Sequence, residues 1–157
     1  MVRRSALLLA LLTAMAVLAM TVLASPASAT VYGTQSVERC DPGGHCIRVT
    51  VSTENAVIGG VWMERADARI QCNASDGWNH ACRGLMGREL VLWRDGAAWY
   101  GNWWPNCASG CGQYLSTDWR TKGGVHTWQA VLDATNITTL GGYAYGPWTV
   151  YSFAYWY

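Results

Sequence analysis

The chain has 157 residues, and its 11 Lys and Arg against 10 Asp and Glu give a formal net charge of +1 at pH 7. This balance argues against a nucleic-acid partner, which requires a basic face, and against electrostatic adsorption to anionic lipid. The composition includes 10 tryptophans and 8 tyrosines but one phenylalanine. Because tryptophan and tyrosine each join an apolar ring to a polar group, they suit half-buried positions and ligand contacts.

The first 29 residues predict an export signal. Arg3 and Arg4 precede an uncharged apolar run from Ala6 to Ala24, and Ala27-Ser28-Ala29 matches the small-x-small site of signal peptidase. We therefore expect cleavage after Ala29, a secreted protein and one domain over residues 30–157. An uncleaved run would instead anchor the same domain to the membrane from outside, and after cleavage no membrane association is expected.

Strand signals follow directly. Cys46 to Ser52 alternates apolar and polar residues, as a half-buried strand does. Ala56 to Met63 contains Gly59-Gly60, which predicts a bulge or a bend, and Ala66 to Cys72 continues the pairing. A helix over Met63 to Gln71 is the second interpretation, because the propensity is fair but the segment is short and uncapped.

A hairpin is predicted around Asp95-Gly96, because this dipeptide accepts the positive φ angles of a type I′ turn. The strands are Glu89 to Arg94 and Ala97 to Gly101. A two-residue loop would place Leu92 opposite Trp99 and Val91 opposite Tyr100, with both faces of the hairpin apolar.

The end of the chain predicts further strands over Val125 to Asp133, Thr138 to Tyr145 and Trp148 to Tyr157. In the last strand, alternation would place Tyr151, Phe153, Tyr155 and Tyr157 on one face. The whole pattern predicts an all-β fold: a small antiparallel β-sandwich or barrel of about seven to nine short strands with disulfide-stapled loops.

Six cysteines allow fifteen pairings. Each consecutive pair brackets turn-forming residues, so we expect the disulfides Cys40–Cys46, Cys72–Cys82 and Cys107–Cys111. A zinc site built on Cys40, His45 and Cys46 is the alternative, but the spacing is wide and an oxidising compartment removes free thiols. We expect no metal and no cofactor.

The tract from Trp99 to Cys107 gives the strongest functional signal. Consecutive Trp103 and Trp104 must point to opposite faces of an extended chain, and Pro105 then ends the strand, so at least one ring should be exposed. Aromatic planes beside amides suit a neutral polar ligand. The predicted binding residues are Trp99, Tyr100, Trp103, Trp104, Asn106 and Trp119.

Catalytic motifs are missing from the sequence, including the nucleophile elbow, the metalloprotease helix and the phosphate-binding glycine loop. Asp118 beside Trp119 is the most site-like carboxylate, and Glu54, Glu64, Glu89, Asp95 and Asp133 are the other candidates for a hydrolytic pair. We predict no catalytic residues.

The expected function is therefore a secreted, non-enzymatic binding module whose aromatic surface binds a neutral glycan or an extracellular protein. A bacteriocin-like toxin or an adaptor subunit of an extracellular toxin assembly is the alternative, in which the C-terminal strand pairs with a partner. A small secreted hydrolase or an enzyme inhibitor ranks third.

Overall fold

The structure is a computed structural model that describes residues 29–108 and 114–156. Twelve strands account for most of these residues: β1 (Thr30–Cys40), β2 (Cys46–Ile58), β3 (Val61–Ala74), β4 (Gly77–His80), β5 (Gly84–Arg94), β6 (Ala97–Trp104), β7 (Tyr114–Ser116), β8 (Arg120–Thr121), β9 (Thr127–Thr138), β10 (Ala144–Tyr145), β11 (Trp148–Tyr151) and β12 (Tyr155–Trp156).

The strands form two antiparallel sheets. In the first sheet, β1, β2 and β3 are neighbours, and β4, β7 and β8 pair with the far edge of β3. In the second sheet, β9 lies at the centre, with β5 and then β6 on one side and β10, β11 and β12 on the other. The predicted all-β class is confirmed, although the strands are more numerous than expected.

The alternative helix over Met63 to Gln71 is wrong, because these residues lie within β3. Ala66, Ala68 and Ile70 are buried and alternate with more exposed charged residues, which is the period of a strand. Gly59-Gly60 forms the turn between β2 and β3, with both residues at positive φ.

The core lies between the facing sides of the two sheets. It is formed mainly by alternate residues of β2, β3, β5, β9 and β11: Ile47, Val49, Val51, Ala66, Ala68, Ile70, Leu90, Leu92, Trp128, Ala130, Leu132, Trp148 and Val150. Trp128 and Trp148 are at most 1% exposed. Removing a ring of this size from water stabilises the fold by about 4–6 kcal/mol.

The sandwich has two distinct ends. The disulfides Cys40–Cys46 and Cys72–Cys82 lie at one end, which we call the disulfide end. The turns at Gly59-Gly60 and Asp95-Gly96 lie at the other, which we call the hairpin end. Thr30 pairs with Asn55, so the described chain begins at the hairpin end.

These two disulfides confirm the predicted pairings and are typical of a protein that folds in an oxidising compartment. Cys107 is also disulfide-bonded, and its predicted partner Cys111 lies outside the described residues. Among the described residues, no helix has the length and apolar character that a membrane span requires.

Asp41 holds the first disulfide loop against the body of the sandwich. Its carboxylate accepts hydrogen bonds from the backbone N–H of His45 and from the hydroxyl of Thr139, both at 2.9 Å. Burial raises the pKa of Asp41, but these hydrogen bonds outweigh it and hold the pKa below its ordinary value. The loop is therefore fixed by an ionised, buried side chain.

Contacts along both sides join the sheets. On one side, Phe153 N–H donates to the carbonyl of Gly33 at 2.6 Å, and the rings of Tyr32 and Tyr155 stack with centroids 4.8 Å apart. On the other, the hydroxyl of Tyr100 donates to Asp118 at 2.6 Å. The segment between β11 and β12 therefore hydrogen-bonds to β1, and β11 and β12 both pair with β9.

The predicted turn at Asp95-Gly96 is present, with φ values of 52° and 80° that match a type I′ turn. Arg94 faces Ala97 and Trp93 faces Ala98, as a two-residue loop requires. The local sequence signal was therefore sufficient to place the turn.

The register predicted beyond this turn is wrong. Leu92 pairs with Tyr100 and Val91 with Gly101, because Trp99 is an extra residue in β6 with no partner on β5. This β-bulge shifts all later pairs by one residue. The ring of Trp99 packs on the core, 5.2 Å from that of Trp128, and its burial accounts for the bulge.

A second shift corrects the C-terminal strand. Tyr151 pairs with Val131 and Tyr155 with Trp128, so one extra residue separates β11 from β12. Tyr155 consequently points into the sandwich, whereas Tyr151 points out, and the shared face predicted for them is wrong. Tyr157 lies outside the described residues. The strand predicted over Val125 to Asp133 corresponds to β9, which spans Thr127–Thr138. Of the strand predicted over Thr138 to Tyr145, Thr138 belongs to β9 and Ala144–Tyr145 forms β10.

Candidate functional site

The outer face of the second sheet carries several aromatic side chains, and three of them, Trp93, Trp103 and Tyr151, lie around Val91 and Val131. Inward-facing Leu90 and Leu92 fix the opposite direction for their neighbours in β5, and the ladder extends this pattern to β6, β9 and β11. We call the following residues the aromatic platform: Val91, Trp93, Gly101, Trp103, Val131 and Tyr151.

The platform is apolar at its centre and aromatic at its margins. Val131 lies between Val91 and Tyr151 in the ladder and is only 2% exposed, although it faces outward. The rings of Trp93 and Tyr151 meet edge to face with centroids 6.3 Å apart, a favourable geometry that orients both. Val131 is thus covered by its neighbours, which form one continuous surface.

Trp103 stands apart from this pair and is 64% exposed. It lies opposite Glu89, four residues before Trp93 on β5, so the two tryptophans are separated by about 13 Å along the strand direction. Gly101 lies between them on β6, has no side chain of its own, and is in close contact with the side chain of Val91. This spacing suits an extended ligand.

Polar side chains border the platform beside Trp103. Glu89 lies directly opposite Asp133 on β9, and Asp133 lies opposite Thr149 on β11. This row offers hydrogen-bond acceptors and a hydroxyl next to an exposed ring. The arrangement combines an apolar stacking surface with groups that bind hydroxyls.

The structure divides the six predicted binding residues among four places. Trp103 belongs to the platform. Trp99 and Trp104 face inward and pack on the core, on the side of the sheet opposite the platform. Asn106 lies at the disulfide end, where its side-chain carbonyl accepts a hydrogen bond from Gly87 N–H at 2.8 Å. The aromatic tract is therefore not one surface.

Two of the predicted residues lie where the edges of the two sheets approach each other: Tyr100 is in the edge strand β6, and Trp119 lies between β7 and β8 of the first sheet. Arg120 packs over the ring of Tyr100 at 3.5 Å, and Arg65 packs over the ring of Trp119 at 4.4 Å. Asp118, the carboxylate singled out from the sequence, accepts the hydrogen bond from Tyr100 and lies 3.8 Å from Arg120. Its contacts tie the two sheet edges together.

Trp93 and Tyr151 are platform residues that the sequence reasoning did not select. The signal for Trp93 was available, because it follows Val91 by two residues in a strand whose Leu90 and Leu92 are apolar. Tyr151 alternates with Val150 in the same way. Their proximity depends on the order of β11, β9 and β5 in the sheet, which local patterns do not reveal.

Metal and histidine chemistry finds little support in the described residues. Glu38, Cys40 and Cys46 place ligand atoms within 4.8 Å of one another, but the two cysteines form a disulfide and supply no thiolate. His45 and His126 each contact an aspartate of a turn, at 3.3 and 2.7 Å. These contacts brace loops at opposite ends of the fold.

The carboxylate most altered by its surroundings is Glu64, which the structure buries completely. Burial raises its pKa to about 7, while the hydrogen bond from Tyr155 and the charge of Lys122 act in the opposite direction. Glu64 faces the core at the hairpin end, away from the platform. It is a structural group beneath the surface, and a ligand on the platform does not touch it.

No family model, curated protein or solved structure matches this chain.

Proposed function

We propose that this protein is an exported, non-enzymatic binding module whose aromatic platform binds a neutral glycan chain. The carrying observation is the exposed ring of Trp103, held about 13 Å from the Trp93–Tyr151 pair on the same face of the second sheet. The export signal predicted over residues 1–29 and the disulfides support an extracellular place of action.

The platform suits sugars for two physical reasons. The C–H face of a sugar ring is apolar and packs on an aromatic ring, which removes apolar surface of both from water. The hydroxyls at the ring's edge then need partners, and Glu89, Asp133 and Thr149 supply them beside Trp103. Because the rings lie on paired strands rather than on loops, little conformational entropy is lost on binding.

Retention on insoluble polysaccharides tests the proposal. The processed protein is mixed with cellulose, chitin or peptidoglycan, and the fraction removed from solution is measured at increasing protein concentration. We expect retention on at least one of these, and Trp103→Ala should raise the apparent Kd by about tenfold or more, as loss of an aromatic anchor does.

Trp62→Ala is the matched control, because Trp62 is 45% exposed but lies in β3 of the first sheet. It should bind as the wild type does. The proposal fails if none of the three polysaccharides retains the protein, or if the two substitutions reduce retention equally. Intact mass, measured in parallel, reports whether the exported chain begins at Thr30.

A further inference from the structure

The outer face of the first sheet carries a groove of about 430 Å³ on the opposite side of the molecule. Strands β1, β2, β3 and β7 line it. A shift in the pairing of β1 with β2 between Tyr32 and Gln35, with Gly33 at a φ of 59°, interrupts the ladder along one border. The groove is therefore a feature of the sheet itself, built on paired strands.

A hydrogen-bonded network forms the floor. Arg65 donates to Glu54 through Nε and Nη2 at 3.0 and 2.6 Å, and to Asp67 through Nε at 2.9 Å. Ser116 donates to the other oxygen of Asp67. Both carboxylates are thus held in fixed positions, with the oxygens that bind Arg65 no more than 5.9 Å apart.

The side chains of this network are largely shielded from solvent. The side chains of Glu54 and Asp67 are 16% and 18% exposed, and that of Arg65 is 27% exposed. Burial raises the pKa of Asp67, and the neighbouring Glu54 carboxylate adds to the rise, although Ser116 and Arg65 oppose it. Hydrogen bonds offered to these carboxylates are worth more here than at a fully wet surface.

The charged and hydroxyl groups of the groove limit the class of ligand that it can bind. Two carboxylates, Glu54 and Asp67, face two guanidinium groups, Arg65 and Arg69, so the groove has no net charge. Thr50, Ser52 and Ser116 add hydroxyls that both donate and accept. A neutral ligand with several hydroxyls satisfies this set, whereas an ion of either sign meets a like charge.

Tyr114 provides the wall on which such a ligand would stack. It is 63% exposed and lines the groove, and Arg69 packs over its ring at 4.9 Å, which restrains the ring. An exposed aromatic side chain above a fixed polar floor has the features that a single sugar ring requires: one apolar contact and several oriented hydrogen bonds.

We infer that this groove is a second sugar site, which binds one neutral sugar ring, and that the two outer faces together allow one molecule to cross-link two glycan chains. The cross-linking rests on the proposed function of the platform, whereas binding in the groove does not. Because the two faces point in opposite directions across the sandwich, one straight chain segment cannot occupy both.

The groove is tested by NMR titration with glucose, galactose and N-acetylglucosamine. We expect amide signals of β3 and β7 to move with at least one sugar, and Tyr114→Ala to weaken that binding by about tenfold. Asp67→Asn, which preserves the side-chain shape, should weaken it as well. Trp103→Ala should leave this titration unchanged, which separates the groove from the platform.

Cross-linking is tested by turbidity with glycol chitin, hydroxyethyl cellulose and soluble starch. The wild type should produce turbidity with at least one polymer, and Tyr114→Ala and Trp103→Ala should each abolish it. The groove proposal is overturned if no sugar moves the β3 and β7 signals, or if they move equally in Tyr114→Ala. If sugars bind but no polymer solution becomes turbid, the cross-linking proposal is overturned. If the platform binds no polysaccharide, the NMR titration should still show sugar binding in the groove.

Discussion

Tyr155 in β12 donates a hydrogen bond of 2.8 Å from its hydroxyl to the Oε2 atom of Glu64 in β3. This contact joins the last strand of the second sheet to the third strand of the first, through the interior of the hairpin end. Glu64 has no exposed surface, and burial raises its pKa to about 7. A core position that alternation assigns to an apolar residue is thus occupied by an acid.

Glu64 should make the folded state less stable as pH rises. Its pKa is raised from 4.5 to about 7 in the folded protein, so the folded state binds more protons than the unfolded state between these values. The contribution of Glu64 to the free energy of unfolding should therefore be greatest below pH 4.5, fall between about pH 4.5 and 7, and then level off, by up to about 3 kcal/mol in total.

Glu64→Gln tests this assignment, because glutamine keeps an acceptor for Tyr155 and carries no charge at any pH. Denaturant unfolding from pH 4 to 8 should show that the variant loses most of the decline between pH 4.5 and 7. A decline as steep as that of the wild type would place the titrating group elsewhere.

Tyr155→Phe should shift this transition. The hydrogen bond from the hydroxyl favours the ionised form of Glu64 and lowers its pKa, so removing it should move the midpoint of the decline to higher pH. Stability at pH 5 should also fall by about 1 kcal/mol, because one buried hydrogen bond is lost. Denaturant unfolding measured across this pH range checks both effects. If the pH at the midpoint of the decline were unchanged, the contact would not influence the pKa of Glu64.

The neighbours Trp103 and Trp104 should differ sharply in their contribution to stability. Trp104 packs on the core, so Trp104→Ala should lower the free energy of unfolding by about 2–4 kcal/mol. Trp103 is mostly exposed, and Trp103→Ala should change it by no more than about 0.5 kcal/mol. Guanidinium unfolding of both variants provides the comparison. Equal losses would contradict the inward and outward assignment of the two rings.

Gly87→Ala should destabilise the protein by more than about 2 kcal/mol. Gly87 has a φ of 57°, and a Cβ there would lie 2.1 Å from the hydroxyl oxygen of Thr135. Gly96→Ala is the matched control, since Gly96 has a φ of 80° but nothing within 4 Å of the added atom. Thermal unfolding should show a loss of about 1 kcal/mol for the control, so the difference measures the clash.

Local signals were sufficient for much of the fold. The dipeptide Asp95-Gly96 was enough to predict the turn that it forms. The turn-forming residues between the cysteines were enough to predict the disulfides Cys40–Cys46 and Cys72–Cys82. These features depend on residues within ten positions of one another. β1 was not predicted, because its alternation is weak and its partner residues come from β2, whose own pairing is needed to recognise it.

The candidate sites were less accessible to prediction, because they depend on register and strand order. Trp93 and Tyr151 are 58 positions apart and meet only because β5 and β11 both lie close to the centre of β9. In the groove, Ser116 reaches Asp67 through the pairing of β7 with β3. Neither contact has a signature in a short window of sequence.

The extra residue in β6 has a consequence for the origin of the platform. If Trp99 paired regularly with Leu92 and formed no bulge, the turn at Asp95-Gly96 would bring Trp103 opposite Arg88, whose side chain points into the sandwich, and Trp104 would turn outward. The bulge therefore decides which of two neighbouring rings faces solvent, without altering either amino acid. The capacity of the surface to meet another molecule is thus set by one irregular step in strand pairing as well as by the residues that it exposes.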